Sequence, residues 1–171
     1  MLLKIWKKLS LPQPVQVFLM RFANDQFLIG VTGVIFNEKN EVLILKHTYR
    51  RVEWSLPGGY LKANEHPKVG LAREIKEETN FEVNVAKIIR TQTDHKGRLD
   101  MCYYGTFVSG KFKPSEEVIE YKFVDPNNLP KLLNDQYKQI AEGLVRKKRY
   151  DAEHRLRHIR RKIFSVFKLS H

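Results

Sequence analysis

Three glutamates, Glu74, Glu77 and Glu78, have the residue type and the spacing of a site for a hard metal ion. On an α-helix, positions three and four apart lie on one face, so the three carboxylates would lie side by side. Such carboxylates repel one another unless a cation joins them, and their oxygen atoms select Mg²⁺, Mn²⁺ or Ca²⁺ over zinc. For the segment REIKEE alone, a solvated face balanced by Arg73 and Lys76 is the alternative.

A longer pattern surrounds these glutamates. Five residues separate Gly59 from Glu65, and seven more lead to the pair Arg73-Glu74. The stretch from 59 to 81 resembles the Nudix box, G-x5-E-x7-R-E-U-x-E-E-x-G-U, where U is bulky and apolar. It matches at every specified position but one, where Asn80 replaces a glycine. The box is specific because it specifies both residue type and spacing, and the preceding WSLPGG also resembles the family's approach to it.

Asparagine replaces glycine twice in this region. Asn80 follows the predicted helix, where a left-handed residue is common, and asparagine is the most tolerant substitute for glycine there. Asn64 stands just before the first glutamate of the box, where many relatives have glycine. Both exchanges are mild for the backbone, so we expect the fold and the activity to be retained.

The resemblance covers residues 27–145 and implies a fold, a cofactor and a reaction. The fold is α/β (α+β), an α/β/α sandwich with a mixed β-sheet and a loop-helix-loop catalytic motif. The cofactor is Mg²⁺ or Mn²⁺, and the reaction is hydrolysis of a nucleoside diphosphate linked to another moiety. The implied site residues are the metal ligands Glu74, Glu77, Glu78 and the Gly59 carbonyl, the catalytic residues Glu77, Glu78, Arg73 and Glu65, and Gly58 beside the phosphates.

Further candidates lie outside the box. Glu116, Glu117 and Glu120 could take a proton from the attacking water, as a loop carboxylate does in some relatives, or could belong to a charged edge strand. Arg50 and Arg51 suit phosphate recognition. Two further residues have structural explanations that we prefer to a role with substrate, namely Trp54 in the core and His47 in a polar loop.

The elements that must hold these residues follow from residue type and periodicity. β-branched and aromatic runs predict strands at 27–36, 41–46, 81–90, 101–108 and 118–124. A turn is predicted at 37–40, a helix from Pro67 to Thr79, a turn entering a short helix in NNLPKLL, and helices at 135–146 and 152–169. This order indicates a mixed layered domain and not a repeating βαβ fold.

Charge divides the chain into three predicted parts: a basic and apolar N-terminal extension (1–22), the Nudix domain (23–148) and a basic amphipathic C-terminal helix (149–171). The net charge is +12, and residues 146–171 hold ten basic and two acidic residues, a net +8. For the C-terminal helix, packing on the domain or on a second subunit of a homodimer, an anionic membrane surface, and RNA stay open.

Cysteine content and hydropathy limit the class of protein. Cys102 is alone, which excludes an intrachain disulfide, and we predict it to be a buried strand residue. No apolar run approaches the roughly 18 residues that span a bilayer, and the N-terminal segment does not have the pattern of a signal peptide. We expect a cytoplasmic protein, with peripheral membrane attachment as the alternative.

The resemblance therefore implies a metal-dependent pyrophosphohydrolase, for which we take ADP-ribose-like compounds or sugar nucleotides as the first substrates to expect. Nucleoside triphosphates, including oxidised ones, and the 5′ end of RNA are alternatives. A nucleotide-binding or membrane-associated protein without catalysis is the alternative outside enzymes.

Overall fold

Residues 11–93 and 97–168 are described by the structure, a computed structural model, with side chains omitted at 154, 155 and 158–168. In this part of the chain, no helix is both long enough and apolar enough to cross a membrane. The elements in chain order are α1 (Gln13–Ala23), β1 (Leu28–Phe36), β2 (Val42–His47), β3 (Trp54–Ser55), β4 (Gly58–Tyr60), α2 (Pro67–Thr79), β5 (Glu82–Thr93), β6 (Arg98–Ser109), β7 (Val118–Val124) and α3 (Asn134–Lys168).

The seven strands form one mixed sheet with the order β3-β2-β1-β6-β5, in which β4 pairs with β1 and β7 pairs with β2. β1 runs parallel to β6 over its whole length and antiparallel to β4. This last pairing sets Thr32 opposite Gly58 and Val31 opposite Gly59. The sheet thereby holds the two glycines that precede the carboxylate helix next to its central strand.

Two helices cover opposite faces of the sheet. The near-continuous apolar runs of β1 and β2 are typical of strands that are buried on both faces. Alternate residues of these strands point to opposite sides, so Val31 and Leu43 pack with Leu71 and Ile75 of α2. Val34 and Ile44 pack on the other side with the first half of α3. The predicted α/β/α sandwich is confirmed.

Most predicted elements are present, and the bounds of α2 and β7 agree with the prediction. The two predicted C-terminal helices form one helix, α3, because neither glycine nor proline interrupts residues 146–152. The short helix predicted in NNLPKLL is wrong, since these residues are turns and irregular structure. The division into three parts remains a prediction, and 1–10 and 169–171 lie outside the described residues.

The sequence-based prediction missed three elements. One is α1, where no helix was predicted; Pro14 lies in its first turn, where a missing N–H costs nothing. β3 and β4 have only two and three residues and show no periodicity of their own.

Trp54 is half-buried against the α3-side core, and Cys102 is buried, as predicted.

Candidate carboxylate site and cleft

Helix α2 presents the box glutamates because its two ends and its buried face are fixed. His66 accepts a hydrogen bond from the Lys68 N–H at the start, and Asn80 ends the helix in the left-handed conformation (φ 63°). Leu71 and Ile75 are fully buried, so the rotation of the helix about its axis is set. Asn64 is also left-handed (φ 61°), and both asparagines therefore do what the family's glycines do.

Arg73 joins three of the glutamates of the box. Its Nε and Nη2 donate to Glu65 Oε1 and Oε2 at 2.7 and 2.9 Å. Its Nη1 donates to Glu74 Oε1 at 2.8 Å and to Glu77 Oε2 at 2.9 Å. One positive charge thus holds two neighbouring carboxylates, while the bidentate bond to Glu65 fixes the plane of the guanidinium. Lys62 Nζ lies 3.5 Å from the other oxygen of Glu77.

The Glu65 carboxylate is ionised and immobilised. The hydrogen bond from Arg73, and next the backbone N–H of Lys62, lower the pKa of Glu65 to about 2. The same bond raises the pKa of Arg73. Gly70 makes room for this carboxylate, because a methyl group there would lie 2.8 Å from Glu65 Oε2. Glu65 therefore contacts the other carboxylates of the box only through Arg73, and its predicted catalytic role stays a prediction.

Gly58 and Gly59 leave no space for side chains. A methyl group at Gly59 would lie 2.3 Å from Glu74 Oε2, so this carboxylate rests directly on the glycine backbone. At Gly58, φ is +155° and a methyl group would lie 2.1 Å from the Val31 carbonyl oxygen. Glycine at 59 is thus required by the carboxylate, and glycine at 58 is required by the strand pairing.

Glu78 differs from its neighbours in its burial. It is 6% exposed, and its Oε2 has no hydrogen-bond partner. Burial raises its pKa to about 8; the charges of Glu74 and Glu117 act in the same direction, and the Arg50 charge and the Gly58 N–H oppose it. A buried carboxyl oxygen without a donor, next to two other carboxylates, is suited to a cation.

A cleft of about 400 Å³ opens beside this carboxylate cluster. It is wide enough for a nucleotide-sized ligand. Gly58 and Gly59 line it, and so does Arg50, whose Nη1 donates to Ser55 Oγ at 2.8 Å. Tyr49 also lines it and donates its hydroxyl hydrogen to Glu117 Oε2 at 3.2 Å. The cleft thus places an arginine and a tyrosine–carboxylate pair near Glu78.

Some predicted residues lie elsewhere. Arg51 is exposed and does not line the cleft. Glu120 lies on β7 between Lys46 and Lys122, at 3.9 and 3.3 Å. Glu116 contributes its backbone carbonyl to the Thr48 hydroxyl. Of the three glutamates proposed outside the box, Glu117 is thus the one whose charge acts on Glu78.

The prediction of a polar loop at His47 is wrong. His47 is the last residue of β2 and is 2% exposed with no partner for either ring nitrogen, and burial, then the Arg50 charge, lower its pKa to about 4. Sequence reasoning also missed several residues of the cleft. Arg98 and Asp100 of β6 line it and form an ion pair at 2.7 Å, and Gln136 of α3 lines it too. No sequence motif marks these residues, because distant segments bring them together.

The carboxylate cluster fits a metal ion in its chemistry but not in its present geometry. Across the described ranges, no group of three or more His, Cys, Asp or Glu side chains has the geometry of a metal site. Arg73 holds Glu74 and Glu77, and Glu78 points inward. The donor set still fits a hard cation, since all three groups are carboxylates and one buried oxygen has no partner. Nudix hydrolases generally use divalent metal ions.

Comparison with known proteins identifies the family. A family model described as the NUDIX domain matches residues 26–144. The ADP-ribose pyrophosphatase of Methanocaldococcus jannaschii is 29% identical over 67% of this chain and 71% of its own length. The crystal structure of an ADP-ribose pyrophosphatase from Streptococcus suis matches with a TM-score of 0.62 and 23% identity, over 70% of this chain and 91% of that one.

A third match is the MutT protein of Methanosarcina mazei, with a TM-score of 0.59 and 26% identity over 73% of this chain and 98% of that one. The family model covers more than half of the chain and includes every residue of the box. The chain therefore belongs to the NUDIX domain family and is a pyrophosphohydrolase.

Proposed function

We propose that the protein hydrolyses the pyrophosphate linkage of a nucleoside diphosphate joined to a second moiety, with ADP-ribose as the first substrate. The observation that supports this most is the cleft, which is lined by Gly58, Gly59 and Arg50. The Glu74 carboxylate lies directly against Gly59. It has room for a nucleoside beyond the phosphates. The ADP-ribose pyrophosphatase among the relatives directs the choice of substrate.

Glu74, Glu77 and Glu78, with the Gly59 carbonyl, would hold Mg²⁺ or Mn²⁺. When bound, the metal neutralises phosphate charge and lowers the pKa of a water molecule. The chain supplies the rest of the chemistry. Arg73 keeps Glu74 and Glu77 on the same side of α2. The two glycines bring the backbone close to the diphosphate without a side chain in the way.

Arg50 and Glu117 have separate roles in this proposal. The Arg50 guanidinium binds a phosphate oxygen and offsets the charge that develops as the linkage breaks. Glu117 takes a proton from the attacking water, because its carboxylate is near Glu78 and is positioned by Tyr49. Water displaces one phosphoryl group and the P–O–P bond breaks. The products from ADP-ribose are AMP and ribose 5-phosphate.

Hydrolysis of a nucleotide panel with Mg²⁺ or Mn²⁺ tests the proposal. The panel contains ADP-ribose, sugar nucleotides, normal and oxidised nucleoside triphosphates, and 5′-triphosphorylated RNA. Glu77→Gln is the loss-of-function variant. Glu82→Gln is the matched control, since each side chain is 54% exposed and lies beside one lysine.

Release of AMP from ADP-ribose by the wild type and by Glu82→Gln, but not by Glu77→Gln, is the expected result. Release of pyrophosphate from a triphosphate or from RNA, without hydrolysis of ADP-ribose, would show that the proposed substrate is wrong and the proposed class of reaction is right. No turnover with any member of the panel by folded protein would refute the proposal.

We also propose that the N-terminal helix attaches the protein to an anionic membrane surface. α1 buries none of its residues, and Val15, Phe18, Leu19 and Phe22 form one exposed stripe with the rings of Phe18 and Phe22 at 5.0 Å. Residues 1–24 contain four basic residues and no acidic ones. An apolar stripe in a basic segment is suited to lie in the headgroup region of a bilayer.

Co-sedimentation with vesicles separates this proposal from its alternatives. Wild-type protein should pellet with phosphatidylserine-containing vesicles, and Phe18→Ser with Phe22→Ser should reduce the bound fraction several-fold. Val108→Ser is the control, because Val108 is an apolar residue of β6 that is similarly exposed, at 61%. If the wild type does not bind vesicles but forms a dimer, and the two serine substitutions abolish the dimer, the stripe would contact a second copy of the chain. RNA binding without vesicle binding would assign the basic ends to RNA.

A further inference from the structure

Gln136 lines the cleft and has a buried hydrogen-bond acceptor without a partner. Its side chain is 7% exposed, and its Oε1 is buried with no hydrogen-bond donor in reach. It lies in the first turn of α3, whose position is set by the packing of Ile140 against the sheet. A buried amide oxygen without a donor is costly, and a ligand that supplies the donor removes the cost.

The surroundings of Gln136 suit a flat, mostly apolar group. Leu56 and Leu133 line the same cleft, and Leu56 is buried against the α3-side core. Tyr49 lies at the cleft with its ring 61% exposed. Apolar side chains, an aromatic ring and one amide form the kind of slot that holds a heterocyclic base.

The charged and the uncharged residues of the cleft come from different segments of the chain. Gly59 lies against the carboxylate of Glu74, where the diphosphate is expected, and the cleft wall there includes Arg50. Leu133 and Gln136 are uncharged, and the other charged residues that line the cleft, Arg98 and Asp100, form an ion pair with each other. A ligand whose diphosphate lies over the glycines would therefore direct its uncharged heterocycle toward α3.

We propose that Gln136 reads the base and selects a 6-amino purine over a 6-oxo purine. The amide carries an acceptor and a donor side by side, and the N6/N7 edge of adenine offers a donor at the 6-amino group next to the N7 acceptor. In hypoxanthine O6 and N7 are both acceptors, so the amide can bond only one of them, whichever way it is turned. This inference rests on the proposed nucleotide substrate and specifies its base.

Hydrolysis of ADP-ribose and of its deaminated analogue, inosine diphosphate ribose, provides the first test. The ratio of their kcat/KM values should favour ADP-ribose by about tenfold or more in the wild type, the discrimination typical of one bidentate amide–base pair. Gln136→Leu should bring this ratio close to one.

Gln139→Leu is the matched control for Gln136→Leu. Gln139 lies three residues further along α3, is also 7% exposed and also has a buried Oε1 without a partner, but it does not line the cleft. Gln139→Leu should keep the wild-type ratio. A wild-type ratio in Gln136→Leu, or an equal loss in both variants, would overturn the role of Gln136.

Equilibrium binding of AMP and IMP, measured by titration calorimetry without turnover, separates this inference from the proposed reaction. AMP should bind the wild-type protein more tightly than IMP by a similar factor, whether or not the protein hydrolyses ADP-ribose. Absence of hydrolysis with AMP preferred would refute the reaction alone. Equal binding of AMP and IMP to the wild type would overturn the assignment of Gln136, and this result does not depend on the folding of any variant.

Discussion

Substitution of Gly59 by alanine should lower the rate of hydrolysis about 100-fold and leave the fold intact. The added methyl group would lie 2.3 Å from Glu74 Oε2, 2.4 Å from its Cδ and 2.9 Å from its Cγ. Ordinary contacts of this kind occur at roughly 3.5–4.0 Å. The carboxylate must therefore retreat by about 1 Å or more. Because Gly59 does not have a positive φ, the backbone itself accepts alanine.

The two consequences of this change have different magnitudes. A displacement of about 1 Å at a catalytic group can lower kcat by about 100-fold. The cost in stability comes from the bond between Arg73 and Glu74, and a charged hydrogen bond contributes about 1.5–3 kcal/mol when buried. Both side chains are 19% exposed and Arg73 keeps its bonds to Glu65, so we expect a loss of at most about 2 kcal/mol.

Steady-state release of AMP from ADP-ribose and urea unfolding, measured on the same samples, check both magnitudes. Gly58→Ala is the informative comparison, because its methyl group would meet the Val31 carbonyl oxygen and the Thr32 Cα instead of a mobile side chain. It should lose about 2–5 kcal/mol of unfolding free energy from overpacking and backbone strain. Wild-type kcat in Gly59→Ala would refute the contact between this glycine and Glu74 as a requirement for catalysis.

Three further changes test the charges of the site. Glu65→Gln should lower kcat about tenfold and lower Tm, because Arg73 loses its bidentate partner. Since the pKa of Glu65 is lowered to about 2, the difference in Tm between variant and wild type should be largest above pH 4.5 and should disappear as pH falls toward 2. In the wild type, the free energy of unfolding should rise by roughly 3 kcal/mol between pH 4 and 6.5, because the buried imidazole of His47 excludes a proton that the unfolded chain accepts. His47→Leu should remove this rise, which urea titration measures. Metal-free Glu78→Gln should be more stable than metal-free wild type at pH 7 by roughly 3 kcal/mol. The pKa of the Glu78 carboxyl is raised to about 8, so the wild type loses stability as pH rises from 4.5. The Tm of the wild type, but not that of the variant, should rise with Mg²⁺ and fall again with EDTA.

Helix α2 could be predicted from the sequence because its determinants are local. Pro67 begins it, Leu71 and Ile75 give it one buried face, and Asn80 takes the left-handed conformation expected at its end. The contact of Arg73 with Glu77 follows from positions four apart on one helix. Residue spacing alone was therefore enough to place these two charges together.

The burial of Glu78 could not be predicted in this way. On a helical wheel, Glu77 and Glu78 belong to the same charged arc, but Glu77 is exposed while Glu78 is 6% exposed. The difference arises because Glu78 faces Gly58, Arg50 and the segment that carries Glu117. Those residues lie twenty to forty positions away in sequence, so no local pattern contains the information.

The cleft is even harder to predict from local sequence patterns, because its proposed selectivity depends on a residue that no motif marks. The box places charge at one end, and any nucleoside diphosphate could in principle use it. Gln136 lies more than fifty residues beyond the box, at the start of a helix whose packing is set by Ile140 and the far face of the sheet. A change of base preference therefore requires only a change at this helix start. The carboxylate cluster on the opposite side of the sheet can remain untouched, because α2 and α3 pack on different cores.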